Sequence, residues 1–126
     1  MEFGSIYHRS ALSDCYAKNA DEVVINLRTG KDVTSVNLIH DDPFAGGAMG
    51  FAVWDGKPEK MELAWELKYQ NIWSVTLRPR FKREQYYFSI TAGEETLLMF
   101  EDGFYTPEEA KKPGRLRQYY RFPWVN

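Results

Sequence analysis

The sequence predicts an antiparallel β-sandwich, on three observations. Apolar residues recur with a period of two rather than 3.6, turn signals punctuate the chain about every ten residues, and no helical pattern alternates with the strands. An aromatic content of 16 %, from eight Tyr, eight Phe and four Trp, fits the same picture, since half-buried sheets use aromatics heavily. Sugar-binding faces use them too.

Taken in order, "EVVINLRTG" alternates Val23, Ile25 and Leu27 against Val24, Asn26 and Arg28, which predicts a strand with one wet face. Gly30 and Asp32 supply a tight turn, and "VTSVNLIH" resumes the alternation through Val36 and Leu38, so the two stretches read as a hairpin. Residues 40–58, "HDDPFAGGAMGFAVWDGKP", are rich in glycine and proline and read as a long exposed loop. "MELAWELKYQ" is ambiguous: Met61, Ala64, Trp65 and Lys68 fit a short helix face, while Met61, Leu63, Trp65 and Leu67 fit a strand, the reading we adopt. "IWSVTLRP" places Trp73, Val75 and Leu77 on one face, and "QYYFSITAGEETLLMF" reads as a hairpin across Ala92-Gly93-Glu94-Glu95. "DGFYTPEEAKKPGR" is a polar loop with at most one helical turn at Pro107 to Lys111, and "LRQYYRFPWVN" is a last short strand stopped by Pro123.

A chain of 126 residues is one domain, large enough to build a core without metal or disulfide support. Sixteen basic against eighteen acidic residues leave a net charge of −2, without the positive field of a nucleic-acid binder. Cys15 is the single cysteine, which excludes an internal disulfide and a thiolate metal cluster and suits a reducing compartment. No apolar run approaches the roughly 20 residues that span a bilayer, and the N-terminus lacks a signal-peptide pattern, so no membrane partner is expected and the chain as written reads as cytoplasmic or as a fragment.

Chemistry is sparse. His8 and His40 each stand alone, without metal-ligand spacing, and are expected in structural or surface roles; Cys15 is expected as a buried, inert thiol. "FAGGAMG" lies between strands, the wrong context for a phosphate loop. Asp41-Asp42 could be half of a carboxylate pair for glycoside cleavage, but adjacent acids before a proline are more often turn residues bonding backbone amides. No catalytic residue, cofactor or metal is assigned. Trp73, Tyr87, Phe88 and Phe100 lie in alternating strands and read mostly as core. Phe44 and Trp54 in the loop, with Trp65 and Tyr69 after it, could instead form a platform for the C–H face of a sugar or a protein contact.

The stretch "SIYHRSALSDCYAKNADEVVINLRTGKDVTSVNLIHDDPF" resembles the N-terminal domain of the neopullulanase, cyclomaltodextrinase and maltogenic amylase group, carbohydrate-binding module family 34. The resemblance rests on "IYHR", a Tyr before the first long strand, the "LRTGKDV" turn, "LIHDDPF", "QYYFSI", "EDGFY" and "YYRFPWVN", in order along nearly the whole chain.

It implies an immunoglobulin-like β-sandwich, all-β with about seven to eight strands, preceding a (β/α)8 barrel of glycoside hydrolase family 13. Residues 1–126 would then be a single N-terminal domain ending where the linker to the barrel begins, with the catalytic acids on the barrel. It further implies α-glucans such as maltooligosaccharides and cyclodextrins as ligands, the barrel of the same or a partner chain as contact, and a homodimer whose loop covers the partner's active-site cleft. Phe44 matches the aromatic that reaches toward the partner's substrate, with His40 and Asp42 in the same motif. Two departures stand out: Ala64-Trp65-Glu66 replaces a polar turn, making Trp65 a packing change or an extra sugar platform, and Gly30 stands where the family more often has Lys. The site residues expected to touch sugar or the partner's active site are therefore His40, Asp42, Phe44, Trp54 and Trp65. The competing readings are a free-standing starch-binding module and a protein–protein interaction domain without sugar affinity.

Overall fold

The computed structural model describes residues 1, 3–10, 12–42, 56–79, 83–110 and 118–123. In chain order the strands are β1 (Cys15–Ala17), β2 (Val23–Thr29), β3 (Ser35–Asp41), β4 (Lys57–Lys60), β5 (Glu62–Glu66), β6 (Asn71–Leu77), β7 (Arg83–Ala92), β8 (Glu95–Phe100), β9 (Gly103–Tyr105) and β10 (Tyr120–Pro123). A single helical turn, α1 (Pro107–Ala110), follows β9. One sheet runs β1-β2-β6-β5 and the other β4-β3-β7-β8-β9, with β10 also paired to β7. Every pairing is antiparallel. The long β7 organises the second sheet: one edge pairs with β3 along its length, and the other is shared by β8 and β10.

The sandwich, expected from the period-two patterning, is what forms. Val23, Ile25, Leu27, Trp73 and Leu77 from the first sheet meet Val36, Leu38, Tyr86, Phe88 and Ile90 from the second in one hydrophobic cluster. The β7–β8 hairpin and the β10 strand fall where expected. Its turn residue Gly93 has φ +62, the left-handed conformation that glycine adopts without a Cβ clash. Helix α1 is closed by a capping box: the Glu109 amide donates to Thr106 Oγ1 at 3.1 Å, and the Thr106 amide donates to Glu109 Oε1 at 3.0 Å. β4 and β9 are short strands within stretches read from sequence as loop.

Three expectations need correction. First, β2 and β3 are not a hairpin, because they belong to different sheets. The link between them crosses the sandwich with Val33 buried in the core, so the apolar faces of the two strands oppose each other instead of lying side by side.

Second, β2 has no broad wet face. Val24 and Asn26 are buried along with Val23, Ile25 and Leu27. The 3-10 turn Leu12–Asp14 lies over this side, where Asn26 Nδ2 donates to the Ser13 carbonyl at 2.9 Å. Tyr7 bridges to Arg28 through a reciprocal pair of backbone hydrogen bonds at 2.9 and 3.0 Å.

Third, Met61, Leu63, Trp65 and Leu67 do not share a face. Met61, 1 % exposed, is the corner at which the chain leaves β4 in one sheet and enters β5 in the other. Leu63 pairs with Trp73, but the register then shifts and Trp65 pairs with Ile72, so Ala64 is the extra residue of a β-bulge. As expected, Trp73, Phe88 and Phe100 are buried, and Phe100 packs beside the main cluster against the half-buried Tyr87. These two rings stack at 4.4 Å in a second aromatic group with Tyr119 and Tyr105.

Candidate functional site

Two regions collect the residues that carry polar or aromatic chemistry. The first is the base of the segment between β3 and β4. His40 stands near the end of β3, opposite Lys57 of β4 and Tyr86 of β7. Its Nε2 lies 2.7 Å from Glu59 and its Nδ1 lies 3.2 Å from Glu84, whose side chain is buried. Burial alone would lower the His40 pKa, yet the hydrogen bonds and charges of Glu84 and then Glu59 outweigh it and raise the pKa above its ordinary value. With a carboxylate at each ring nitrogen, both nitrogens are donors in the imidazolium form.

This clamp ties β3, β4 and β7 together near the end of β3. Next to it, the Asp42 amide donates to Asp41 Oδ1 at 2.8 Å, the turn role expected for the acidic pair. Phe44 and Trp54 lie outside the described residues. Thus His40 and Asp42 are placed at one locus, whereas Trp65 lies on the other sheet.

The second region is the outward face of the first sheet. The Ala64 bulge places Trp65 opposite Ile72 on the outward side of β5, an edge strand whose residues are all exposed, and Trp65 is 55 % exposed. Tyr16, on β1 at the other edge, is 40 % exposed. Between the two aromatics an open groove of about 330 Å³ is lined by Asp14, Asn26, Arg28 and Ile72 together with Ser13. Asp14 is occupied: its Oδ2 accepts the Arg9 amide at 3.1 Å and lies 3.7 Å from the Arg9 guanidinium. Arg28, in contrast, has no ion-pair partner among the described residues. Asn26 is 8 % exposed and its Oδ1 accepts no hydrogen bond.

Of these residues the sequence singled out only Trp65 for binding. Tyr16, Asn26 and Arg28 were visible as a tyrosine before a strand and as the second face of β2, but nothing local joins them to Trp65. That joining requires β6 between them and the bulge that turns the indole outward.

His8 has no part in either region. Its Nδ1–H donates to the Asn26 carbonyl at 2.7 Å, so Nε2 is the acceptor for the Tyr86 hydroxyl at 2.9 Å. Desolvation by burial lowers its pKa to about 4, against smaller raising effects of Asn26 and Asp14, so it is a neutral structural histidine at neutral pH. Cys15 is buried, and desolvation pushes its thiol up to about 11, which makes it inert. Among the described residues no group of three or more His, Cys, Asp or Glu is arranged to hold a metal ion.

Comparison with known proteins places these features in context. A family described as the alpha amylase N-terminal ig-like domain matches residues 1–126. The intracellular maltogenic amylase of Bacillus subtilis (strain 168) is 26 % identical over 127 residues, covering 100 % of this chain and 21 % of that protein. The cyclomaltodextrinase of Geobacillus thermopakistaniensis (strain MAS1) is 30 % identical over 129 residues, again 100 % of this chain and 21 % of that protein. The chain therefore spans about a fifth of the length of these relatives. Among solved structures, a cyclomaltodextrinase superposes with a TM-score of 0.80 at 23 % identity over 100 % of this chain and 20 % of its own. The type III pullulan hydrolase from Thermococcus kodakarensis gives 0.53 at 14 % identity, over 84 % of this chain and 14 % of its own. These two likenesses bear on the fold.

Proposed function

The chain belongs to the family of alpha amylase N-terminal Ig-like domains, and from that premise we propose that it is the accessory domain of an α-glucan or cyclodextrin hydrolase of the neopullulanase, cyclomaltodextrinase and maltogenic amylase group. Its role there is to shape substrate access and dimerisation, while a barrel outside this chain performs the hydrolysis. The names of the relatives support the substrate class, and the word intracellular in one of them supports a cytoplasmic location.

The observation that carries this reading is the His40 clamp. A segment that narrows a partner's cleft has to leave the sandwich from a fixed base, or its ordering on contact would cancel the affinity gained. His40 supplies that base by bridging Glu59 and Glu84, on the two strands beside its own. Phe44 follows two residues after Asp42, so it is the first aromatic beyond the clamp. It has no hydroxyl, which leaves stacking against a glucose ring as its contribution.

The test is Phe44→Ala in the complete enzyme, comparing kcat/KM for β-cyclodextrin with that for soluble starch. We expect the cyclodextrin-to-starch ratio to fall several-fold, with thermal stability unchanged and the dimer retained in analytical ultracentrifugation. An unchanged ratio counts against the reading.

A further inference from the structure

We propose that His40 is a proton-operated latch for the edge strand β4: its imidazolium holds β4 against β3 through Glu59, and loss of one ring proton releases Glu59 so that β4 peels from β3 as far as Met61. The proposal rests on the geometry of the clamp and does not depend on the hydrolase reading.

The hold on β4 is slight and uneven. The strand lies at the end of its sheet, its four residues are all exposed, and β3 is its one strand partner among the described residues. At its far end Met61 is buried, and the Met61 amide donates to the Val36 carbonyl at 3.0 Å, which fixes a pivot. Antiparallel alternation from that bond directs the Glu59 and Lys57 amides at β3 and turns Pro58 outward, where an edge strand tolerates it. At the near end the side-chain tie is His40 Nε2 to Glu59 at 2.7 Å.

The two carboxylates at the ring are unequal. The side chain of Glu84 is 5 % exposed and that of Glu59 is 46 % exposed. An imidazolium has a donor for each, whereas a neutral imidazole has one donor and one lone pair. A buried carboxylate left without a donor carries its full desolvation cost, while an exposed one takes up water instead. The proton therefore leaves Nε2 for solvent, and Nδ1–H stays on Glu84. The Nε2 lone pair then faces the Glu59 carboxylate, acceptor against acceptor, so Glu59 turns to water and the near end of β4 loses its tie.

The ring has other neighbours. Lys57 and Tyr86 stand opposite His40 in the two ladders, and the Tyr86 hydroxyl is engaged by His8 Nε2 at 2.9 Å. Asp41 and Asp42 follow on the same chain, with Asp41 Oδ1 accepting the Asp42 amide. β10 sets Phe122 opposite Glu84 and Tyr120 opposite Tyr86, and from the first sheet the Cys15 thiol lies within the field of Glu84. Against the lowering effect of burial, Glu84 and Glu59 put the His40 titration above the ordinary histidine value of about 6.5.

The experiment is NMR of this chain from about pH 6 to about pH 9, across that titration. Ring nitrogen shifts should show the neutral His40 as the Nδ1–H tautomer. Hydrogen-exchange protection of the Lys57 and Glu59 amides, corrected for the intrinsic pH dependence of exchange, should fall by about tenfold or more, as expected for losing one hydrogen bond to a charged group. The amides of β8, in the same sheet, should lose less. Glu59→Gln puts a carboxamide where its N–H can meet the Nε2 lone pair, and should leave β4 equally protected at both ends of the range. The proposal is overturned if β4 protection is constant in the wild type, if β4 and β8 lose protection in parallel, if neutral His40 carries its proton on Nε2, or if Glu59→Gln keeps the fall. None of these results touches the Phe44 comparison in the complete enzyme, so the two readings fall separately.

Discussion

The imidazole of His40 lies 3.2 Å from the carboxylate of Glu84, a buried acid on the adjacent strand β7. The pair gives the fold an alkaline limit. The folded chain holds the His40 proton more tightly than the unfolded chain, where histidine titrates near about 6.5. Below that pH both states are protonated and the stabilisation is complete. As pH rises through the raised folded-state value, the proton is lost and the stabilisation goes with it. Urea midpoints of the wild type should fall between neutral pH and the top of that titration. His40→Gln should be less stable at pH 6 and lack this fall. An NMR titration placing His40 at or below 6.5 would sink the prediction.

His8 sets the acid limit with the opposite sign. Its folded-state pKa is lowered to about 4, so the unfolded chain binds the proton first as pH drops below about 6.5. Stability is unaffected above that value and declines between about 6.5 and 4, by up to about 3 kcal/mol for a drop of that width. Denaturant curves over this range should show a one-proton slope for His8 in the wild type, absent from His8→Gln.

Trp73 donates its indole N–H to Thr29 Oγ1 at 2.9 Å, and the Thr29 hydroxyl donates onward to the Gly30 carbonyl at 3.0 Å. Both side chains are buried. Thr29→Val keeps the volume and removes the acceptor, leaving a buried N–H unpaired. The expected cost is about 1–3 kcal/mol by urea denaturation, with Thr29→Ser recovering most of it.

Gly93→Ala should destabilise the β7–β8 hairpin by about 1–2 kcal/mol, the usual penalty for a Cβ in the left-handed region. Space is open around an added Cβ there, so the backbone at φ +62 is the whole cause. Gly4→Ala, with equally open space and no left-handed backbone, should be close to neutral. Equal effects in thermal melts would refute this account.

Much of the molecule is legible along the chain. Alternation located β2, β3, β6, β7 and β8 because a side chain's face is fixed by parity alone, a purely local property. Composition ruled on charge and thiol chemistry, and the motifs around "LIHDDPF" pointed to the family that the comparisons then showed. Local pattern cannot say which strand pairs with which. β2 and β3 have the alternation and the turn of a hairpin, and their separation into facing sheets is decided by partners far along the chain: β6 for β2 and β7 for β3. The same holds for the two regions of interest. His40 finds its partners 19 and 44 residues away, and Trp65 reaches the outward face through one extra residue in a ladder with β6. Periodicity and motif order along the chain carry the fold class and the family. Which faces are covered, which polar groups meet and which remain unpaired follows from packing between distant strands, because hydrogen bonds and ion pairs act over a few ångströms in space and carry no trace in local periodicity.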